Sequence, residues 1–434
     1  MDLQKWNLFP LLALLASFIF LFYVQDSSKP SQSGCSLLPH GHYWIASKSI
    51  VTPQGIVSGA VILFYLFSGC LNGQWRHVHL DDPGRAEWEG FPSGTKAAAA
   101  GGITTLIDMP LNNFPSTVSA ETLKLKIEAA EKSIYVDVGF WGGLVPENAF
   151  NATALEALLD AGALSLKSFM CPSGISDFPM TDSTHIKIQS AIENHLETED
   201  DGGDPRSYST YLKKRPPSME EAAIRELLTV TKDTSIGGRA EGAHLHVVHL
   251  SDATEEIPDG DIRFKCAPPI RGAGNKEKLW NALMEGHIDM LSSDHSPPVP
   301  ELKLLNDGNF LKAWGGMSLY RSFVLPVTWS YGQKFGITLE QLVSWWSEKP
   351  AKLARQHSKG SITIGNHADI VVWEPEVEFH LNEGHPMFVK NPSISAYIGK
   401  SLSGNVLATF VRGNLVYKEG SHALAACGSK ILAA

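Results

Sequence analysis

The chain has 434 residues, 43% hydrophobic and 19% charged, with a formal net charge of −10, which is enough for a large core. The acidic balance and the scatter of Lys and Arg leave no basic stripe along which a phosphate backbone could run, so nucleic acid is excluded as a partner. Five cysteines, Cys35, Cys70, Cys171, Cys266 and Cys427, are odd in number, widely spaced and without a C-x-x-C, which argues against both a disulfide framework and a thiolate zinc site.

From the N-terminus, Leu8 to Val24 is an uncharged apolar run of 17 residues, preceded by Lys5 and followed by Gln25, Asp26 and Lys29. That length is at the lower limit for crossing a bilayer. The run is apolar on every face and starts almost at the first residue, which argues against a buried helix. No clean small-x-small cleavage pattern follows it. Residues 1–30 are therefore expected to be a signal anchor or signal peptide, with residues 8–24 inserting into or crossing the endoplasmic reticulum membrane and sending the chain into the secretory pathway. Asn151-Ala-Thr would then be available as a glycosylation acceptor.

Short β runs with Gly turns follow, as in HYWIASKSIVTPQGIVSGAVILF, and from about residue 93 helical and strand-like segments alternate. GTKAAAAGG predicts a helix closed by glycines before the strand ITTLIDMP; ETLKLKIEAAEKSI precedes VDVGFW; NATALEALLDAG precedes ALSLKSF. The same grammar predicts SMEEAAIRELLTV as a helix with a Ser218/Glu221 capping box, GAHLHVVHLSD as a strand, then NKEKLWNALMEG before the strand HIDMLSSD. The acidic stretch 197–207 reads as a solvated linker. After residue 356, GSITIGNHADIVVWEP and VLATFVRGNLVYKEG return to short β runs. The expected fold is α/β: a (β/α)8 TIM-like barrel over 71–355, with a small β-sandwich built from 36–70 and 356–434.

Chemistry concentrates at strand ends. His77 and His79 are two apart, so on a strand their imidazoles leave one face and can converge on an ion; a surface accident is the blander reading. Asp294, after IDMLSS, falls where a barrel keeps its chemistry, although a helix cap or turn would use the same residue. His249 shares a strand face with Leu245 and Val247 and suits a core histidine as well as a ligand. Lys167 closes ALSLK. An ammonium beside metal ions is repelled, so it joins such a site only if its charge is removed or inverted, as carboxylation by CO2 would do; otherwise it is a strand-end lysine reaching solvent.

HVHLDDPGRAEWEGFPSGTKAAAAGGITTLIDMPLN, SLKSFMCPSG and LSSDHSP, with VDVGFWGGLVPENA, FKCAPPIR and FLKAWGGMS between and after them, resemble the cyclic-amidohydrolase family, and within it the branch that acts on allantoin. The likeness runs over most of residues 35–434. It implies a metal-activated hydroxide that opens the ring amide of allantoin, a small-molecule substrate, to allantoate. By position it implies His77 and His79 as the first metal pair and a carboxylated Lys167 bridging two divalent ions per subunit, zinc foremost, with cobalt or manganese as alternatives. It implies His249 on the second ion and Asp294 as ligand and proton shuttle, in a homotetramer. Arg85 and Asn112 fall near the mouth and are candidates to hold the substrate, or else a salt-bridged arginine and a turn asparagine. Dihydropyrimidinase or dihydroorotase chemistry is the nearest alternative, and a metal-deficient binding partner is the alternative from another class.

The departures are as informative. The family's further metal-binding histidine, in an apolar strand followed by Ala-Glu, has no counterpart in THIKIQSAIENHLETED, where His185 and His195 lie in polar sequence. HLSDATEEIPDGD runs straight through where a Cys-Pro-His-Tyr strand is expected, and VILFYLFSGCLNGQWR replaces the run into the first histidine pair. Losing a strand from a closed barrel opens it and exposes unpaired backbone.

Overall fold

The computed structural model describes residues 20–25, 34–38, 41–47, 49–57, 61–64, 77–182, 185, 203–231, 245–249, 257–318, 323–382 and 384–433. Its centre is a parallel arc. After the N-terminal strands β1 (Phe20–Gln25), β2 (Gly41–Ala46), β3 (Ile50–Thr52), β4 (Gly55–Val57) and β5 (Val61–Phe64), strands β6 (His77–Val78), β7 (Thr105–Asp108) and β8 (Asp137–Phe140) pair side by side, His77 opposite Ile107 and Thr105 opposite Asp137. The chain of β8 continues into β9 (Gly142–Gly143), which pairs with β10 (Leu166–Lys167), Lys167 opposite Gly143. On the other side Val78 bridges to His295 and His295 to Met317, again parallel. Every residue of β7 and β8 is buried, as expected where helices cover both faces of a sheet.

The connecting helices carry their own start and stop signals. Phe91–Ala100 has proline in its first turn and ends at Gly101 and Gly102; Gly102 has φ +78°, and a Cβ there would lie 2.5 Å from Val371. Ala120–Ala130 is capped reciprocally by Ser119 and Thr122, and Ala152–Asp160 by the Asn151 side chain, so the candidate glycosylation asparagine already serves as a helix cap. Pro217–Thr231 begins at its proline, which places Ser218 inside the first turn; the expected Ser218/Glu221 box does not cap this helix.

Two expected strands are not hydrogen-bonded as strands. Leu245–His249 has no sheet partner among the described residues, and after His287–Asp294 only the bridge at His295 is made; Asp294, directly before it, takes φ +41°, outside the β region. Among the described residues the arc is therefore not closed by backbone hydrogen bonds.

The C-terminal strands β11 (Ile370–His380), β12 (Ser401–Val411), β13 (Asn414–Lys418) and β14 (Ser421–His422) form an antiparallel meander. Near the N-terminus, Leu37 N–H donates to Leu415 O over 2.9 Å, and Leu37 and Leu38 pack on Ile370, Phe410 and Leu415. That junction corrects the cysteine reading, because Cys35 and Cys427, 392 positions apart, form a disulfide. Spacing carries no signal for two residues brought together only by the packing of opposite ends of the chain. Past Cys427 the tail leaves the meander, and Lys430–Ile431 pairs in parallel with β8 as an added barrel edge. Phe20–Gln25, which includes the end of the expected apolar span, pairs antiparallel with Gly41–Ala46; residues 1–19 lie outside the described residues. Among the described residues no helix is long and apolar enough to cross a membrane.

Barrel and meander are joined by buried charge. Lys359 Nζ lies 2.9 Å from Asp137 and 2.5 Å from Asp369, and Arg412 pairs with Asp137 through its guanidinium and with Asp369 through its backbone N–H. His367 stands beside the same two carboxylates. Lys359 and Arg412 already neutralise them, so this cluster is a structural lock and not a cation site.

Candidate active site

Five side chains from distant parts of the sequence meet at the C-terminal ends of the arc. His77 and His79 come from β6 and the residue after it, Lys167 ends β10, His249 closes the Leu245–His249 segment, and Asp294 precedes the bridge at His295. Asp294 is the hub: its Oδ1 lies 3.2 Å from His77 Nε2 and 3.5 Å from His79 Nε2, and its Oδ2 lies 3.2 Å from His249 Nε2. Lys167 Nζ lies 2.8 Å from His77 Nε2.

The environment is dry on one side. His77, His79 and Lys167 are buried, Trp141 stands against His77, and Phe169 lies between Lys167 and His249 with its ring 4.9 Å from Nζ. Burial pushes the His77 imidazole well below its ordinary value, with Lys167 adding to the effect, and burial likewise lowers His79. It lowers the Lys167 ammonium to about 8. Burial would raise the Asp294 carboxyl, but His77 and His249 beside it prevail and hold it well below the usual carboxylate range. Neutral imidazoles facing a carboxylate are the protonation states that a cation requires.

The donor set fits a divalent ion. His77, His79 and Asp294 offer ligand atoms within 4.8 Å of one another, and the buried Asp294 Oδ1 has no hydrogen-bond partner although two imidazole nitrogens face it. His79 places Nδ1 3.2 Å from Leu111 O; donation there fixes the tautomer and leaves Nε2 as the ligand atom. Asp108 holds the same stretch from below, accepting from Leu80 N–H over 2.8 Å and pairing with the buried Lys126 at 2.7 Å. Lys167 and His249 flank this trio on the far side. His185 is instead hydrogen-bonded to Asp182, and His195 lies outside the described residues.

Arg85 and Asn112 are joined to each other beside the site. Arg85 donates to the carbonyls of Asn112 and Asn113, both at 3.2 Å, pairs with Asp177 at 3.4 Å and stacks on Trp88 and Phe114. Asn112 is a buried turn residue at φ +72°. Sequence reasoning passed over Glu89 and His295, a buried pair next to the hub; the one signal for them was the histidine directly after the aspartate in SSDHSP.

A parallel α/β arc with histidines on its first strand, a lysine on its fourth and an aspartate on its last defines a hydrolase of the metal-dependent barrel class. Family models agree along the chain: "Amidohydrolase family" matches residues 239–416, "Dihydro-orotase-like" 74–255 and "Allantoinase, composite domain" 38–63. Among solved structures, the L-hydantoinase (dihydropyrimidinase) of Arthrobacter aurescens superposes with a TM-score of 0.74 at 25% identity, over 88% of this chain and 97% of that one. The allantoinase of Arabidopsis thaliana is 58% identical over 99% of both chains, and the probable allantoinase of Oryza sativa subsp. japonica 53% identical over 100% of this chain and 99% of its own length. The chain belongs to the amidohydrolase family, among the allantoinases. The alignment to the Arabidopsis relative runs over 501 positions against 434 residues here, so the relative carries dozens of residues at positions where this chain has none.

Proposed function

We propose that this chain hydrolyses the ring amide of allantoin to give allantoate. The observation that carries the reading is the convergence of His77, His79, Lys167 and His249 on Asp294 at the strand ends. His77, His79 and Asp294 would hold a divalent ion, zinc foremost with cobalt or manganese as substitutes. Lys167, carboxylated, would bridge it to a second ion that His249 also holds. Bound metal supplies Lewis acidity and lowers the pKa of water, which makes a nucleophile available near neutral pH. Asp294, kept ionised by the imidazoles around it, accepts the proton released as water attacks the ring carbonyl and returns it to the leaving ring nitrogen. Trp141 and Phe169 exclude bulk water from one side of that transfer. Arg85, in this reading, fixes the loops that rim the mouth.

The chain's destination is part of the same proposal: residues 1–30 direct it to the endoplasmic reticulum, and the subunits assemble as a homotetramer. The Cys35–Cys427 disulfide supports an oxidising compartment. A second reading, a metal-deficient family member acting as a binding partner, is favoured by the positions absent relative to the Arabidopsis protein.

Metal analysis and turnover on the chain lacking residues 1–30 decide between them, with allantoin, dihydrouracil and dihydroorotate as substrates. Two ions per chain with turnover of allantoin alone support the proposal. Turnover of either of the other rings moves the chain to the dihydropyrimidinase or dihydroorotase type. Absence of metal and turnover leaves the binding-partner reading.

A further inference from the structure

His295 directly follows the hub residue Asp294, and its ring is fully buried, with Nε2 2.8 Å from Oε2 of an equally buried Glu89. Its backbone bridges to Val78 on one side and Met317 on the other, and its carbonyl accepts from His79 N–H over 2.9 Å. His295 is thus the pin that holds the strand of the histidine pair against the strand of Asp294. Asp294 itself sits at φ +41°, a left-handed conformation that is strained for a residue with a Cβ and persists only where the surroundings impose it. The chain leaves that strained residue directly into the pinned His295.

Glu89 is fixed in turn. Its carbonyl accepts from Ser93 Oγ, the following Gly90 donates to Leu80 O over 2.9 Å, and its second carboxylate oxygen accepts from Lys390 N–H over 3.3 Å. One carboxylate therefore joins the loop after β6, the Asp294 strand and the segment leading to β12. We propose that Glu89 is a positioning residue for Asp294: through His295 it sets where the proton-accepting carboxylate points relative to His77 and His79. The inference rests on the proposed hydrolysis, in which Asp294 moves the proton. It extends the site to a fully buried residue.

The test uses the full metal-loaded chain with Glu89→Gln, His295→Asn and the double variant, assayed on allantoin and crystallised beside the wild type. Loss of the Glu89–His295 contact is expected to lower kcat on the order of 10-fold, as is usual for partners that orient a metal ligand, with KM little changed. The double variant should be no slower than His295→Asn, because both act along one connection. In the crystal of Glu89→Gln the Asp294 carboxylate should be displaced against His77 and His79. Wild-type kcat, a change confined to KM, multiplicative losses in the double variant, or an unmoved carboxylate would each overturn the proposal. If Glu89→Gln does not fold, Glu89→Asp, which keeps the charge but shortens the reach, is judged by the same readouts. A wild type that binds metal but leaves allantoin untouched would defeat the substrate reading, and the pair of crystal structures would still decide the role of Glu89.

Discussion

Lys167 Nζ donates to His77 Nε2 across 2.8 Å, joining two residues 90 positions apart and placing an amine where the histidine would bind metal. Burial lowers this ammonium from 10.5 to about 8, so without metal or carboxylation the folded chain carries a charge it disfavours. Below about pH 8 both folded and unfolded chains hold the proton and the penalty is complete; between about 8 and 10.5 only the unfolded chain holds it, so stability rises with pH through that window. The shift corresponds to about 3 kcal/mol. Lys167→Met should therefore be the more stable protein at pH 7 when metal-free, lack the rise toward alkaline pH, and have no turnover. Urea midpoints at neutral and alkaline pH check this, and a less stable Lys167→Met at pH 7 would contradict it.

The two imidazoles give the opposite end of the pH scale. His77 and His79 are held neutral below their ordinary value of 6.5, so the stability that depends on their neutral state is complete above that pH. It is lost as pH falls below 6.5, where the unfolded chain takes up protons that the folded chain refuses. Metal-free protein should lose stability on acidification from this point, and His77→Asn with His79→Asn should flatten the slope. Removing the metal with a chelator should abolish turnover and lower the melting temperature, and zinc should restore both. A melting temperature indifferent to chelation would show that no ion is bound there.

Much of this architecture was legible because strand and helix periods repeat. The glycine stops at Gly101 and Gly162 mark where helices end, and the H-x-H spacing places both imidazoles on one face. What escaped depends on contacts made across long separations. Cys35 and Cys427 meet only because the two ends of the chain pack together, and Glu89 reaches His295 across 206 positions. The strand expected over HIDMLSSD is absent except for the bridge at the next residue, His295, and the left-handed backbone at Asp294 is a feature that no apolar periodicity reports. Ser218 mimicked a cap, but the proline before it had already begun the helix.

Cutting the staple between the termini should be costly. The Cys35–Cys427 disulfide closes a loop of 392 residues, and cross-links over long loops typically contribute about 2–4 kcal/mol, chiefly by restricting the unfolded chain. Cys35→Ser, or reduction of the wild type, should lower the denaturation midpoint by about that amount. The kcat of the folded fraction should not change, because the bond lies on the side of the meander and the added edge Lys430–Ile431. Free-thiol titration before and after reduction gives the count directly. An oxidised chain in which all five cysteines react would refute the bond.

The lock between barrel and meander makes a separable prediction. Lys359 is buried between Asp137 and Asp369; the Arg412 guanidinium is a second cation on Asp137, and its backbone N–H donates to Asp369. Lys359→Met leaves Asp369 with no cation and Asp137 with the guanidinium alone, and breaking a buried pair from one side typically costs about 3–5 kcal/mol because the remaining charge is uncompensated. Asp137 opens β8 at the end of the strand away from the site, so the loss should appear in stability and not in kcat. Replacing all three, as Lys359→Met with Asp137→Asn and Asp369→Asn, removes the orphaned charge and should recover part of the loss. Denaturant midpoints of the single and triple variants, with kcat measured on each, separate the outcomes. A triple variant as unstable as Lys359→Met would show that hydrogen-bond geometry, and not charge, holds the two parts together, and a fall in kcat would show that the lock also shapes the site.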